Sequence, residues 1–242
     1  MKRRGFLAGS FGVLAAQAAA ADTGVPVLMY HAVNDTTPRD PVGLDLTLPS
    51  AKFERQLQYL GRHRIPTLTA AELVAALEKG GTPRGVVLTF DDGYADAATV
   101  VTPLLQRYGA RATFFVNSGS VGSRNHVTWA QLREMIRAGM EIGAHGVHHV
   151  DLSTLDRAQQ MHEAGTCIEK IANYAGRRPV SYAYPSGAYD ATTLDVMGAL
   201  GLRSAWTERY GDVHDLRRRY ELPRLRISRD GTPAHFAALV AG

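Results

Sequence analysis

Short apolar runs alternate with helix-period segments along almost the whole chain, and this alternation constrains the fold more than any other feature. Residues 25–30, 85–90, 112–116, 140–143, 180–184, 203–206 and 222–227 read as buried strands. The segments between them carry helix-end chemistry. Thr69 with Glu72, and Thr128 with Gln131, have capping-box spacing. Gly80-Gly81 stops the first of these helices, and Thr232-Pro233 opens a final one. Ser50 is expected to cap a helix whose Phe53, Leu57 and Leu60 share a face. Residues 95–108, 153–175 and 190–200 read as further helices, and the polar, proline-rich residues 34–49 as a loop. Strand–helix alternation builds a parallel sheet covered by helices. About seven strands in one domain suit a closed or partly closed (β/α) barrel, with a doubly wound open sheet as the alternative.

The amino terminus has a different character. Lys2-Arg3-Arg4 precedes an apolar, Ala/Gly-rich run to Ala16, then small residues to Ala21. This pattern predicts an export signal over residues 1–21, and Arg3-Arg4-Gly5-Phe6-Leu7 resembles a twin-arginine signal. A mature domain over residues 22–242, exported and periplasmic, is the expectation. The apolar run is too short to span a bilayer comfortably, and no second run is long enough, so no transmembrane segment is expected. The net charge of +4 owes three charges to the leader. Beyond it, 24 basic side chains face 23 acidic ones, which does not favour a nucleic-acid or anionic-membrane partner. Hydrophobic residues at 45% exclude a largely disordered chain. The single cysteine, Cys167, excludes an internal disulfide and a thiolate zinc cage, and reads as a buried helix residue.

Barrels of this type place their chemistry just after the strands. After residues 85–90 come Asp91-Asp92-Gly93. Two adjacent carboxylates at a strand end are costly unless a cation neutralises one, and Gly93 permits the sharp turn that lets both reach a pocket. After residues 140–143 come His145, His148 and His149. One helical turn would put His145 and His149 on one face. With one carboxylate they would form a two-histidine, one-carboxylate metal set that leaves a coordination position open. His148 would point elsewhere. His31 follows the first strand at the same rim, and Tyr184-Pro185-Ser186-Gly187 reads as a strand-end turn, either a plain turn or one whose backbone N–H groups are candidates to face the site.

Together these pieces resemble the polysaccharide deacetylases of carbohydrate esterase family 4, over about residues 26–236. Thr89-Phe90-Asp91-Asp92-Gly93 matches the family's T-F-D-D-G motif, and His145–His149 its H-[ST]-x-x-H motif, with Gly146 in place of Ser/Thr. The resemblance implies an α/β fold, a deformed (β/α) barrel. It also implies a divalent metal, usually zinc, held by Asp92, His145 and His149, with Asp91 as general base. Two departures stand out. The family's R-P-P-Y-G motif aligns with Ala183-Tyr184-Pro185-Ser186-Gly187, so the arginine that orients the base is missing, and Arg224 is the candidate replacement. Ser186 replaces a tyrosine that acts through its backbone N–H. The late L-x-H motif carrying the acid histidine is also missing. The opening Val27–Val33 resembles the permuted branch that deacetylates poly-β-1,6-N-acetylglucosamine, in which the acid sits early, at His31 here; His235 is a distant second.

The implied activity is metal-dependent removal of N-acetyl groups from an N-acetylglucosamine polysaccharide. Ser186, Tyr184, Trp206 and Arg224 are expected in the oxyanion and substrate pocket, and Trp129 either there or in a helix core. A small-amide amidase and a non-catalytic sugar-binding homologue are the alternatives. A glycoside hydrolase is disfavoured because adjacent Asp91 and Asp92 cannot flank a sugar bond at the required separation of about 5–9 Å. No G-x-S-x-G motif supports a serine hydrolase. Arg217-Arg218-Arg219 reads as a solvated loop.

Overall fold

The computed structural model describes residues 24–241, so the expected leader over residues 1–21 lies outside the described residues. The chain opens with β1 (Val27–Tyr30) and β2 (Ala32–Val33), then α1 (Pro41–Leu46), β3 (Thr47–Leu48), α2 (Ser50–Arg62), β4 (Thr67–Leu68) and α3 (Ala70–Glu78). Next come β5 (Val86–Phe90), α4 (Thr102–Arg107), β6 (Thr113–Val116), α5 (Trp129–Arg137), β7 (Glu141–Ala144) and α6 (Arg157–Ala175). The last elements are β8 (Ser181–Ala183), α7 (Ala191–Ala199), β9 (Ser204–Tyr210), β10 (Leu222–Arg226) and α8 (Pro233–Val240).

Seven parallel strands close a ring in the order β1-β10-β9-β8-β7-β6-β5, because β1 pairs with both β10 and β5. They coincide with the seven runs read from the sequence, so the closed barrel replaces the open-sheet alternative. The ring is deformed at β5. Its first half pairs with the two-residue β4 and its second half with β6.

The two-residue periodicity of the strands sorts side chains between two cores. One parity packs against the helices: Leu28 and Tyr30, Leu88 and Phe90, Phe114 and Val116, Tyr182 and Tyr184. The other fills the lumen with Val27, Val87, Phe115, Ala183, Trp206 and Leu222. Helix α3 plugs the lower end with Ala70, Leu73 and Val74. There Glu141 accepts from Ala71 N–H at 2.9 Å and from the hydroxyls of Thr113 and Ser181, each at 2.8 Å. Those three donors satisfy a carboxylate that burial would otherwise penalise.

The capping boxes form as read, with Thr69 accepting from Glu72 N–H and Thr128 from Gln131 N–H. Further boxes at Asp156 and Asp190 start α6 and α7, so the 153–175 segment splits into a 3₁₀ turn and a helix. Three expectations are corrected. Pro49 takes the cap position of α2, and the Ser50 hydroxyl instead donates to Asp35. Residues 34–49 are not wholly loop, because Asp40 caps the short α1 and β3 pairs with β2. The 95–108 helix opens with a π-turn, Ala97–Val101. Pro103, which has no N–H to give the ladder, sits in the first turn of α4 directly after it.

Candidate active site

The lumen-facing parity continues past the strand tips and brings the chemistry to one mouth. Val87 and Thr89 lead to Asp91, Gly143 leads to His145, Leu222 leads to Arg224, and Val27 and Met29 lead to His31. Residues far apart in sequence therefore meet because every strand runs the same way and ends at the same rim.

Asp92, His145 and His149 present one donor atom each, all within 4.8 Å of one another. Asp92 Oδ1 lies 3.3 Å from Nε2 of both histidines. It is buried without a hydrogen-bond partner. Donors sharing a tetrahedral zinc at about 2.0–2.1 Å stand about 3.3–3.4 Å apart. The three atoms thus fit a divalent ion, and the orphaned oxygen is explained by one. His145 Nδ1 donates to the Ala183 carbonyl at 2.7 Å, which leaves Nε2 its lone pair. Burial alone would raise the Asp92 pKa, but His145 and the other nearby imidazoles outweigh it and hold the carboxyl well below its ordinary range. Burial alone would lower His145, yet Asp92 and Asp91 carry it above its ordinary value.

The two histidines do not sit on a helical turn, contrary to the sequence expectation. Residues 145–149 form a loop in which Gly146 has φ +81° and His149 φ +55°. Glu163 on α6 holds this loop. Its carboxylate accepts from Val147 N–H at 3.1 Å, His148 N–H at 3.0 Å and His148 Nδ1 at 2.6 Å. His148 is thus engaged by Glu163 rather than by the cradle, and it is this contact, not a helical turn, that sets its direction. Asp92 and Ser186 also have positive φ, at 73° and 55°. Three of the five non-glycine residues with positive φ among the described residues therefore lie at this mouth, where surrounding contacts must hold strained backbone in place.

Beside the cradle, Asp91 is locked to Arg224 by two parallel hydrogen bonds of 2.8 and 2.7 Å. Both residues are almost wholly buried. Arg224 is fixed in turn by the Thr207 carbonyl at 3.0 Å and the Thr89 hydroxyl at 3.2 Å. Burial pushes the Asp91 carboxyl up, but the guanidinium outweighs it and holds the pKa below its ordinary value. The half-buried His31 feels the charges of Asp91 and Asp92 and, against them, Arg224 and Arg226. Burial dominates and lowers its pKa. Asp96 helps to place this segment by accepting from Val33 N–H at 3.1 Å and Asn34 Nδ2 at 2.6 Å.

Ser186 is exposed on the turn after β8. Tyr184 and Trp206 are not brought to the mouth. Tyr184 faces the helical layer and donates to the Tyr220 carbonyl at 2.8 Å, and Trp206 is a lumen core residue whose Nε1 donates to Ser204. Trp129 packs at 5.2 Å from Tyr174, on the helical side. His235 is exposed on α8. Arg217, Arg218 and Arg219 pair with Asp215, Glu221 and Glu78.

Residues 78–205 match the family described as Polysaccharide deacetylase. This chain belongs to the polysaccharide deacetylase family. The chain is 30% identical to YxkH of Bacillus subtilis, itself named for polysaccharide deacetylase, over 89% of this chain and 76% of that protein. It is 26% identical to poly-β-1,6-N-acetyl-D-glucosamine N-deacetylase of Staphylococcus aureus, over 76% of this chain and 69% of that one. Among solved structures, the Streptococcus pyogenes deacetylase PplD in complex with acetate superposes with a TM-score of 0.84 at 29% identity. That match covers 90% of this chain and 98% of PplD.

The sequence reading had no role for Tyr94, Asn117 or Glu163 in this family site. The Tyr94 phenol faces Asp92 and is pushed up by burial and by the Asp92 charge. Asn117 continues the inward parity of β6, a signal the sequence did contain. Glu163 had none, because its partners are backbone amides brought in by the fold.

Proposed function

We propose that the protein is a metal-dependent N-deacetylase of N-acetylglucosamine polysaccharide, acting on poly-β-1,6-N-acetylglucosamine. The observation that carries this reading is the three-donor cradle of Asp92, His145 and His149 set directly beside the Asp91–Arg224 pair. The donor set matches zinc. A divalent ion held there supplies Lewis acidity toward the acyl oxygen and makes water more acidic.

The remaining steps belong to the chain's own groups. Asp91, kept ionised and aimed by Arg224, accepts a proton from the attacking water. The Ser186 backbone N–H is the candidate donor to the developing oxyanion. His31 delivers a proton to the departing amine nitrogen, which leaves poorly as an anion. Its lowered pKa makes it a stronger acid once protonated. Water and an N-acetyl sugar thereby give acetate and a free amine. The Staphylococcus aureus relative supports the polymer through its name, and PplD supports the product through its bound acetate. The basic-then-apolar amino terminus supports export to the periplasm.

The test is acetate release from β-1,6- and β-1,4-linked N-acetylglucosamine oligomers by metal-stripped and zinc-restored protein. Release that returns with zinc, prefers the β-1,6 oligomer and vanishes in Asp91→Asn is the expected result. Tight zinc binding without release from either oligomer would move the substrate to another amide.

A further inference from the structure

At the tip of β6, Asn117 takes the same parity as Thr113 and Phe115. Thr113 reaches Glu141 in the lumen, and Phe115 lies under the Arg224 guanidinium, 5.7 Å from ring centroid to Cζ. The next inward position is therefore one rung higher, at the mouth. The neighbouring strands fix its place. Phe114 pairs with Phe90, just before Asp91 and Asp92. On the other side Val116 pairs with Ala144, His145 N–H donates to the Val116 carbonyl at 3.1 Å, and Ser118 N–H donates to the Gly146 carbonyl at 3.0 Å. Asn117 thus stands beside His145, between the segment carrying both aspartates and the loop carrying both histidines.

Asn117 is only 3% exposed, and its Oδ1 is buried with no hydrogen-bond partner. A buried amide oxygen without a donor is a standing cost to the fold, because the water it gave up is not replaced. Sites built to hydrogen-bond a substrate group carry such atoms, and they discriminate strongly against analogues that lack the group. Among the substrate's atoms near the scissile bond, the acetamido N–H is a donor. An acyl ester presents none.

We propose that the Asn117 carboxamide accepts a hydrogen bond from the acetamido N–H of bound substrate, and so selects amides over esters. This rests on the deacetylase reading above. Asn117 moves no proton in the reaction; it contacts and orients the acyl-amine unit between Asp91 and the metal cradle.

The experiment compares kcat/KM for an N-acetylglucosamine oligomer and for an aryl acetate ester, in zinc-loaded wild type, Asn117→Leu and Asn117→Ala. Leucine nearly preserves the volume, and alanine guards against crowding. Both variants should melt within a few degrees of wild type, since they remove an unpaired buried atom. Amide turnover should fall about 10- to 100-fold while ester turnover stays within about threefold. Equal loss on amide and ester, or no loss on either, would overturn the proposal and leave the deacetylase reading standing. Wild type that cleaves the ester but releases acetate from no N-acetylated oligomer would remove the deacetylase reading, and the proposal with it.

Discussion

Two adjacent aspartates occupy different environments at this mouth, and the proposed division of work between them follows that difference. Asp91 is spent on Arg224, with both oxygens engaged, whereas Asp92 keeps Oδ1 free toward two imidazoles. Asp91→Asn should therefore keep zinc, measured by competition with a chromophoric chelator, and lose about 10²–10⁴ in kcat. Asp92→Asn should lose zinc and activity together. The Arg224 contact also sets a pH limb. A general base works when deprotonated, so activity falls as pH drops through its pKa, and Arg224 holds that pKa low. Arg224→Gln should move the acid limb of kcat/KM to higher pH. It should also destabilise the fold by about 3–5 kcal/mol by stranding a buried carboxylate. A limb that stays in place would show that Asp91 is not the titrating base. The carboxylates and histidines themselves were legible in the sequence. The role of Arg224 was only a candidacy there, because 133 residues separate it from Asp91 and only barrel closure brings them together.

Elements divide into those announced by local chemistry and those imposed by their neighbours. The boxes at Thr69 and Thr128 were legible because each is closed by residues three apart. Thr128→Ala should cost about 1 kcal/mol, read as a melting point lower by about 2–4 °C. Helix α1 has a local start signal in the Asp40 cap and Pro41, whereas the little pair β2–β3 was not legible, since it depends on Asp96 reaching Val33 N–H and Arg229 reaching the Thr47 carbonyl. The His145–His149 loop is the same kind of object. A helical turn is what the spacing alone suggests, but Glu163 pulls Val147 and His148 N–H outward and stabilises the positive-φ loop instead. Glu163→Gln should weaken zinc binding about 10- to 100-fold, the effect expected of a lost support behind the ligands. Unchanged zinc affinity in a folded Glu163→Gln variant would show that the loop keeps its shape without this anchor.

For the whole molecule, closure of the ring is what turns seven strand tips into one site. The lumen is filled from below by α3, Phe115 and Trp206, so the polar groups collect at the upper mouth. A metal bound to the folded state alone then stabilises the entire barrel. If the cradle holds zinc as proposed, a free concentration of about 1,000 times Kd would contribute about 4 kcal/mol. Adding a strong chelator should therefore lower the melting point by about 8–16 °C in wild type. It should have no such effect in Asp92→Asn, which differential scanning calorimetry would resolve.

The sequence by itself determined the strand count, the parallel α/β class, most helix starts and the cluster of carboxylates and histidines. These are written in periodicity, caps and short-range spacing, all of which act over a few residues. Only the tertiary structure decided that Arg224 grips Asp91 and that Tyr184 and Trp206 are buried rather than lining the mouth. It also decided that a loop, not a helix, carries the histidines, and that Asn117 stands unpaired among them. Each of these depends on which parity faces the lumen and on which strands become neighbours. Closing the ring settles both, and no local stretch of residues encodes that closure.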